Sequence, residues 1–178
     1  MLIGLTSRNA AGKDEVARYL VERRGFVYFS LSDILRRELE KRGLELTREN
    51  LTATGNELRG TRGPGVLGEM ALSALEKIDN AVVVSLRNPA EIEALGKRPD
   101  FLLVAVDAPV EVRWQRVKKR ARPDDAASWE QFIRQEQAEL SDDPVKQQLD
   151  ACFRLADRVI VNDGTLEDLH RKIEELPR

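Results

Sequence analysis

The residues best suited to chemistry form one stretch near the start of the chain. Ser7-Arg8-Asn9-Ala10-Ala11-Gly12-Lys13 is a run of mostly small residues closed by Gly-Lys, with Asp14-Glu15 directly after it. The apolar run Leu2-Ile3-Gly4-Leu5 precedes it, and Val16, Ala17, Leu20 and Val21 share one helical face beyond it. A buried strand that feeds a small-residue loop at a helix N-terminus builds an anion site. Backbone N–H groups turn inward there, the helix end is positive, and Lys13 adds a mobile cation. The chemistry predicted is capture of a phosphate chain by Asn9, Ala10, Ala11, Gly12 and Lys13. Such loops usually open with Gly and follow the lysine with Ser or Thr. Ser7 and Asp14 stand at those places, so the hydroxyl that would face Mg²⁺ is missing.

A second set of residues extends that chemistry. Arg36, Arg59, Arg62, Arg87, Arg116, Arg120, Arg122 and Arg134 recur through the chain. Planar guanidinium groups grip phosphate bidentately. Phosphoryl transfer asks little covalent chemistry of a protein; it needs two anionic groups held in line and their charge neutralised. Any one arginine reads equally well as part of a solvated helix face. Arg87 stands apart because it directly follows a buried-strand pattern. His170 lies among charged neighbours and reads as a solvated or partly packed side chain, not a ligand. Trp114 falls on the stripe Val110, Trp114, Val117 and reads as core.

The elements that must position these groups follow from periodicity. Strands are predicted at the first apolar run, at Phe26–Leu31, and at Ala81–Leu86, Phe101–Val106 and Arg158–Val161. The last three are β-branched or continuously apolar and read as strands covered on both faces. Helices are predicted from Lys13 to a Gly25 cap, from a Ser32 or Asp33 cap to Gly43, over Thr47–Arg62, Val66–Ile78 and Pro109–Arg120, after the Ser128-Trp129-Glu130-Gln131 capping box, and after the Thr165 cap. Strands alternating with helices give an α/β fold, three layers deep, on a parallel sheet of about five strands. Ligands of such sheets sit beyond the strands' carboxyl ends. That selects Ser7–Lys13, Ser30–Asp33, Arg87–Pro89, Asp107–Pro109 and Asn162–Gly164 as one rim.

With 178 residues, one domain spanning 1–178 is expected. Charged residues are 34% of the chain yet the net charge is only -2, so no basic coat for nucleic acid is expected. The one cysteine, Cys152, excludes an intrachain disulfide and a Cys-based zinc site. No basic, apolar leader and no apolar run of about 20 residues is present, so a cytoplasmic protein without membrane contact is expected.

The chain resembles the P-loop nucleotide kinases, the group that includes adenylate kinase and dephospho-CoA kinase, nearly end to end. Ser32-Asp33-Ile34-Leu35-Arg36 resembles the Asp-x-Leu-Arg segment of nucleoside monophosphate kinases, whose arginine binds the acceptor's phosphate. Leu86-Arg87-Asn88-Pro89 is placed like their second acceptor-phosphate arginine. Val106-Asp107-Ala108-Pro109, then Arg116 and Arg120, resembles the segment entering the lid. Ala156-Asp157-Arg158-Val159-Ile160-Val161-Asn162-Asp163-Gly164-Thr165 looks most like the C-terminal segment of dephospho-CoA kinases.

The resemblance implies an ATP- and Mg²⁺-dependent kinase with a nucleotide-type acceptor, a nucleoside monophosphate or dephospho-CoA. It implies an acceptor-binding insert near 33–78 and a lid near 120–143, with Trp129 packing the lid, Arg134 as a further phosphate contact, and Asp124-Asp125 and Asp142-Asp143 as solvated lid ends. Catalysis falls to Lys13, Arg87 and Arg120. ATP falls to Asn9–Glu15, Arg116, Arg120, Asn162 and Gly164. The acceptor falls to Asp33, Arg36, Arg59 and Arg87. The family's acid near the third strand is not apparent, since Val83, Val84 and Ser85 stand there, which leaves Asp14, Glu15 and Asp107 for the metal. A regulatory nucleotide-binding module with little transferase activity is the alternative. A nucleic-acid-processing ATPase is disfavoured by the lack of a basic stripe or interleaved aromatics.

Overall fold

A computed structural model of the chain describes residues 1–121 and 125–177. The rim arginine Arg122 and the lid acid Asp124 lie outside the described residues.

Five strands form one sheet: β1 (Leu2–Ser7), β2 (Val27–Ser30), β3 (Ala81–Val84), β4 (Phe101–Asp107) and β5 (Arg158–Val161). Their order is β2-β3-β1-β4-β5, and every pairing is parallel. The helices are α1 (Lys13–Arg24), α2 (Leu31–Arg42), α3 (Arg48–Arg62), α4 (Val66–Ala74), α5 (Pro89–Leu95), α6 (Val110–Arg120), α7 (Trp129–Ala138), α8 (Leu149–Arg154) and α9 (Leu166–Glu174).

Alternation along the strands splits the core into two layers. Leu2, Ala81 and Val83 pack with α2, α4 and α5 residues such as Leu35, Leu67 and Leu95. Ile3, Leu5, Val82 and Val84 face the other way, onto Val16 and Leu20 of α1 and Leu169 and Ile173 of α9. Both faces of the central strands are therefore covered, which is why β1 and β3 read as unbroken apolar runs. A small third cluster, Val117, Ala126 and Phe132 with Trp114, joins α6 to α7.

Several sequence expectations are corrected. The strand expected over Arg158–Val161 exists, but it is the sheet edge: only Ile160 is buried, while Val159 and Val161 are 56% and 42% exposed. The second strand is shorter than Phe26–Leu31, because α2 already begins at Leu31. Ser30, not Ser32 or Asp33, occupies the N-cap position in extended backbone, with no side-chain cap bond. Asp33 sits in the first turn, where the helix end favours an acid, and it pairs with Arg36. The helix expected to reach Ile78 ends at Ala74. Helices α5 and α8 were not anticipated.

Helix α5 had a readable signal. Asn88-Pro89-Ala90-Glu91 is a capping box with proline in the first turn. Its Glu91 is fully buried and does more than cap. One carboxylate oxygen accepts from the backbone N–H of Arg87 and Asn88, and the other accepts from Arg59 Nε and Nη2 at 3.0 and 2.7 Å. Gly68 of α4 makes this close packing workable: a Cβ there would lie 2.4 Å from the Glu91 carbonyl oxygen.

Removing one partner of such a pair strands a buried charge. Glu91→Ala is expected to lower unfolding free energy by about 3–5 kcal/mol. A fall in the urea midpoint checks this; an unchanged midpoint would deny the pair its structural part.

Candidate functional site

The carboxyl ends of the strands open into a cleft of about 540 Å³. Its floor on one side is the loop from Ser7 to Lys13, between β1 and α1. Ser7 is buried at the strand end, and Ala10 and Gly12 have positive φ, 59° and 110°. Those two residues curl the loop before α1 starts at Lys13. Gly12 is required twice over: its φ suits glycine, and a Cβ would strike Asn162 Nδ2 at 2.2 Å.

That contact belongs to a clamp. Asn162, at the end of β5, donates through Nδ2 to the Ala11 carbonyl at 2.8 Å and is itself buried. Arg116 of α6 donates to the same carbonyl at 3.2 Å and to the Asn162 carbonyl at 2.9 Å. Burial pushes the Arg116 pKa down from its usual value. Within the loop the Ala11 N–H donates to the Arg8 carbonyl at 3.2 Å, so the turn is also held from inside.

Lys13 points to Asp14, and both line the cleft. Arg120 bridges from the lid acid Asp125, gripped by Nε and Nη2, to Asn9 Oδ1 at 2.9 Å. Asn9 Nδ2 is buried with no hydrogen-bond partner among the described residues. It is a donor left over at the loop.

The opposite wall is made of arginines. Arg36 comes from α2, Arg48 and Arg59 from α3, and Arg87 from the turn after β3. Glu139, just past α7, accepts from Arg48 through Oε1 and forms an ion pair with Arg87 through the same oxygen. Arg87 also donates to Gln147 Oε1 at 3.0 Å, and its carbonyl accepts from Gln148 N at 2.8 Å. Asn88 holds the same returning segment through the carbonyls of Pro144 and Lys146. Ser85, on this wall, has φ 69°, a conformation costly for a residue with a Cβ.

Of the residues singled out from sequence, Asn9, Ala10, Ala11, Gly12, Lys13, Asp14, Arg36, Arg59, Arg87, Arg116 and Arg120 line this one cleft. Glu15, Asp33, Asp107, Asn162 and Gly164 do not. Burial alone would raise the Glu15 pKa, but hydrogen bonds to His170 and Arg18 outweigh it and hold the carboxyl below its usual value. His170 thus serves Glu15, at 2.8 Å, and stacks near Tyr19. Asp107 caps Ala108 N at 2.8 Å, with Arg8 and Arg113 at 3.7 and 3.9 Å. Gly164 packs against Asp168, leaving 2.8 Å between its would-be Cβ and Oδ2.

Among the described residues no group of three or more His, Cys, Asp or Glu is placed to hold a metal. Cys152 is fully buried, and burial first, then the Glu91 charge, pushes its thiol up to about 12, so it is inert. Trp114 is only partly buried, meeting Trp129 and Phe132 edge-on or tilted at 6.1 and 5.6 Å. No described helix is long and apolar enough to cross a membrane.

A family model described as "AAA domain" matches residues 9–133, which begin inside the loop and end within α7. The chain is 32% identical over 183 residues to a UPF0200 protein of Thermococcus gammatolerans, covering 99% of this chain and 93% of that one. A UPF0200 protein of Methanocaldococcus jannaschii is 31% identical over 180 residues, covering 99% and 88%. The chain belongs to the UPF0200 family, and its domain is of the P-loop kinase-like kind. In fold it is similar to shikimate kinase from Aquifex aeolicus, with TM-score 0.58 at 17% identity over 98% and 94% of the two chains. It is also similar to TT1252 from Thermus thermophilus, with TM-score 0.64 at 22% identity over 98% and 94%.

Sequence reading missed Tyr28, Arg48, Glu139 and Gln147, which also line the cleft, and placed Arg8 on the rim only as part of the Ser7–Lys13 run. None has a local signature. Arg8 pairs with Asp150 at 2.7 Å and lies over the Phe153 ring, contacts made across the chain.

The clamp generates a prediction. Asn162→Ala leaves the Ala11 carbonyl with one fewer donor and the loop less fixed. ATP affinity, measured by calorimetry, is expected to fall about tenfold, the scale of one buried hydrogen bond left unmade. Unchanged affinity would deny the clamp a part in binding.

Proposed function

We propose that the protein is an ATP-dependent phosphotransferase whose acceptor is a nucleotide-type anion, a nucleoside monophosphate or dephospho-CoA. The observation that carries this reading is the pairing of two anion-binding walls in one cleft. The loop of Asn9 to Lys13, with Arg116 and Arg120, faces Arg36, Arg48, Arg59 and Arg87. A protein that merely bound ATP would need only the first wall. Phosphoryl transfer needs both, with donor and acceptor approaching in line.

In this reading Lys13 and the loop amides hold the ATP phosphates, and Arg120 neutralises charge on the moving group. Arg36 and Arg87 hold the acceptor, with Arg59 beneath them and Asp33 orienting Arg36 by a 2.6 Å bond. Asn162 and Gly164 border the nucleotide's end of the loop. Residues 33–78 carry the acceptor wall, and residues 120–143 form the lid of a single domain that works in the cytoplasm.

The residues fit Mg²⁺ in a limited way. Mg²⁺ characteristically takes one or two carboxylates plus phosphate oxygens. Asp14 is the sequence-predicted metal acid that lines the cleft, beside Lys13, and would hold the ion in the family's hydroxyl position. When bound, the ion supplies charge neutralisation at the β- and γ-phosphate oxygens.

The Lys13–Asp14 pair also favours a second reading, a regulatory module that binds a nucleotide and transfers nothing. A transfer screen with ATP over the nucleoside monophosphates and dephospho-CoA separates the two. Turnover on an acceptor supports the kinase. ATP binding with no turnover on any of them supports the module.

Two predictions follow from the division of the cleft. Lys13→Ala is expected to weaken ATP binding and to cut turnover by roughly 10²–10³-fold, as loss of a group that stabilises transition-state charge does. Normal turnover in this variant would remove the loop from the site. Arg36→Ala and Arg87→Ala are each expected to raise the acceptor KM or lower kcat, with kcat/KM falling about 10–100-fold and ATP affinity nearly kept. Steady-state kinetics in each substrate check this, and an equal loss on the ATP side would refute the division.

A further inference from the structure

Glu139 is out of place in a wall built for anions. It lines the arginine side of the cleft, is 5% exposed, and comes from the segment after α7 rather than from the sheet rim. Its Oε1 serves Arg48 and Arg87 together. Its Oε2 is buried and has no hydrogen-bond partner among the described residues. A buried carboxylate oxygen without a donor is costly, by more than a neutral group would be.

The charges on this wall define what fits it. Arg59 is matched by the buried Glu91, and Arg36 by Asp33. Arg48 and Arg87 share one carboxylate, so this pair keeps one positive charge in excess. A molecule that entered between them would meet two guanidinium forks for an anionic group. Glu139 Oε2, closed to solvent in this structure, would gain the donor it lacks among the described residues only if such a molecule displaced the side chains around it. An anion alone would satisfy the two forks and leave Oε2 unmet.

We propose that the acceptor carries a hydroxyl or amino donor beside its anionic group, that Glu139 Oε2 receives that donor, and that Arg48 and Arg87 take the anion. Glu139 is then a specificity residue. It selects a hydroxylated or amino-bearing anion, such as a ribonucleoside monophosphate, over a bare anion. Arg48, not singled out by the sequence, joins the acceptor contacts. The proposal rests on the acceptor reading given above.

The test measures binding by calorimetry with the loop saturated by the non-hydrolysable analogue AMP-PNP and Mg²⁺, so that added probes report on the arginine wall. The probes are AMP, GMP, CMP and UMP as donor-bearing anions and sulfate as the donor-free anion. In Glu139→Gln the best-bound monophosphate is expected to weaken by about tenfold or more. Sulfate is expected to tighten severalfold, because two guanidinium groups lose their competing carboxylate. Opposite signs support the proposal. If both probes tighten, Glu139 merely competes with anions, and the proposal fails. If both weaken alike, Glu139 is structural, and it fails again.

A second arm uses the unaltered protein and does not depend on how the variant folds. For a bound AMP, the 2′,3′-dideoxy analogue and purine riboside monophosphate, which lacks the 6-amino group, are compared with AMP itself. At least one is expected to lose about tenfold. Equal binding of all three overturns the assignment of a donor. If AMP-PNP binds but none of the four monophosphates does, the acceptor reading fails and takes this proposal with it. If sulfate binds and the four monophosphates do not, the anion wall stands and the choice of a donor-bearing nucleotide is wrong.

Discussion

One buried carboxylate organises the arginine side of the cleft. Glu91 has no exposure, and each of its oxygens holds something the cleft needs. One oxygen fixes the backbone of Arg87 and Asn88, and so the direction in which Arg87 leaves the sheet. The other fixes the guanidinium of Arg59, and so the position of α3 against α5. A buried ion pair gives little net stability over an apolar pair, but it is expensive to break. Its value here is geometric. It sets two arginines from distant parts of the chain at defined places on one wall.

The loop side depends on a similar economy of atoms. Asn162 and Arg116 bind the loop from behind, at the Ala11 carbonyl. Loops are usually mobile because their backbone groups face water. This one is tied at that carbonyl and by the Ala11 N–H, which donates to the Arg8 carbonyl. Gly12 lets Asn162 approach so closely, so the glycine serves the clamp as much as the ligand.

Helices α6 and α7 join the two walls. Arg113 of α6 bonds the Ala108 and Asn9 carbonyls, pairs with Glu136 of α7, and packs over Phe132. Glu139 continues the line to Arg48 and Arg87. The segment around α7 is therefore tied to the loop at one end and to the arginine wall at the other.

Much of this was written locally in the chain. The alternation of β-branched runs with helical patterns determined an α/β fold, and the Ser7–Lys13 run with its flanking strand and helix determined the strand–loop–helix whose loop lines the cleft. The cap at Thr165 closes as a full box, while at Ser128 the side chain accepts from Gln131 N but the Gln131 side chain turns to Ala127 N. These features are local because hydrogen-bond geometry and periodicity act over a few residues. Tertiary structure alone decided the rest. That β5 is an edge strand, that Glu15 turns to His170 and Arg18 while Asp14 meets Lys13, and that Glu139 joins Arg48 to Arg87 all depend on which groups burial brings together. A carboxylate's partner is chosen by proximity in a low-dielectric interior, and proximity across 91 residues, as between Arg48 and Glu139, leaves no mark on the neighbouring sequence.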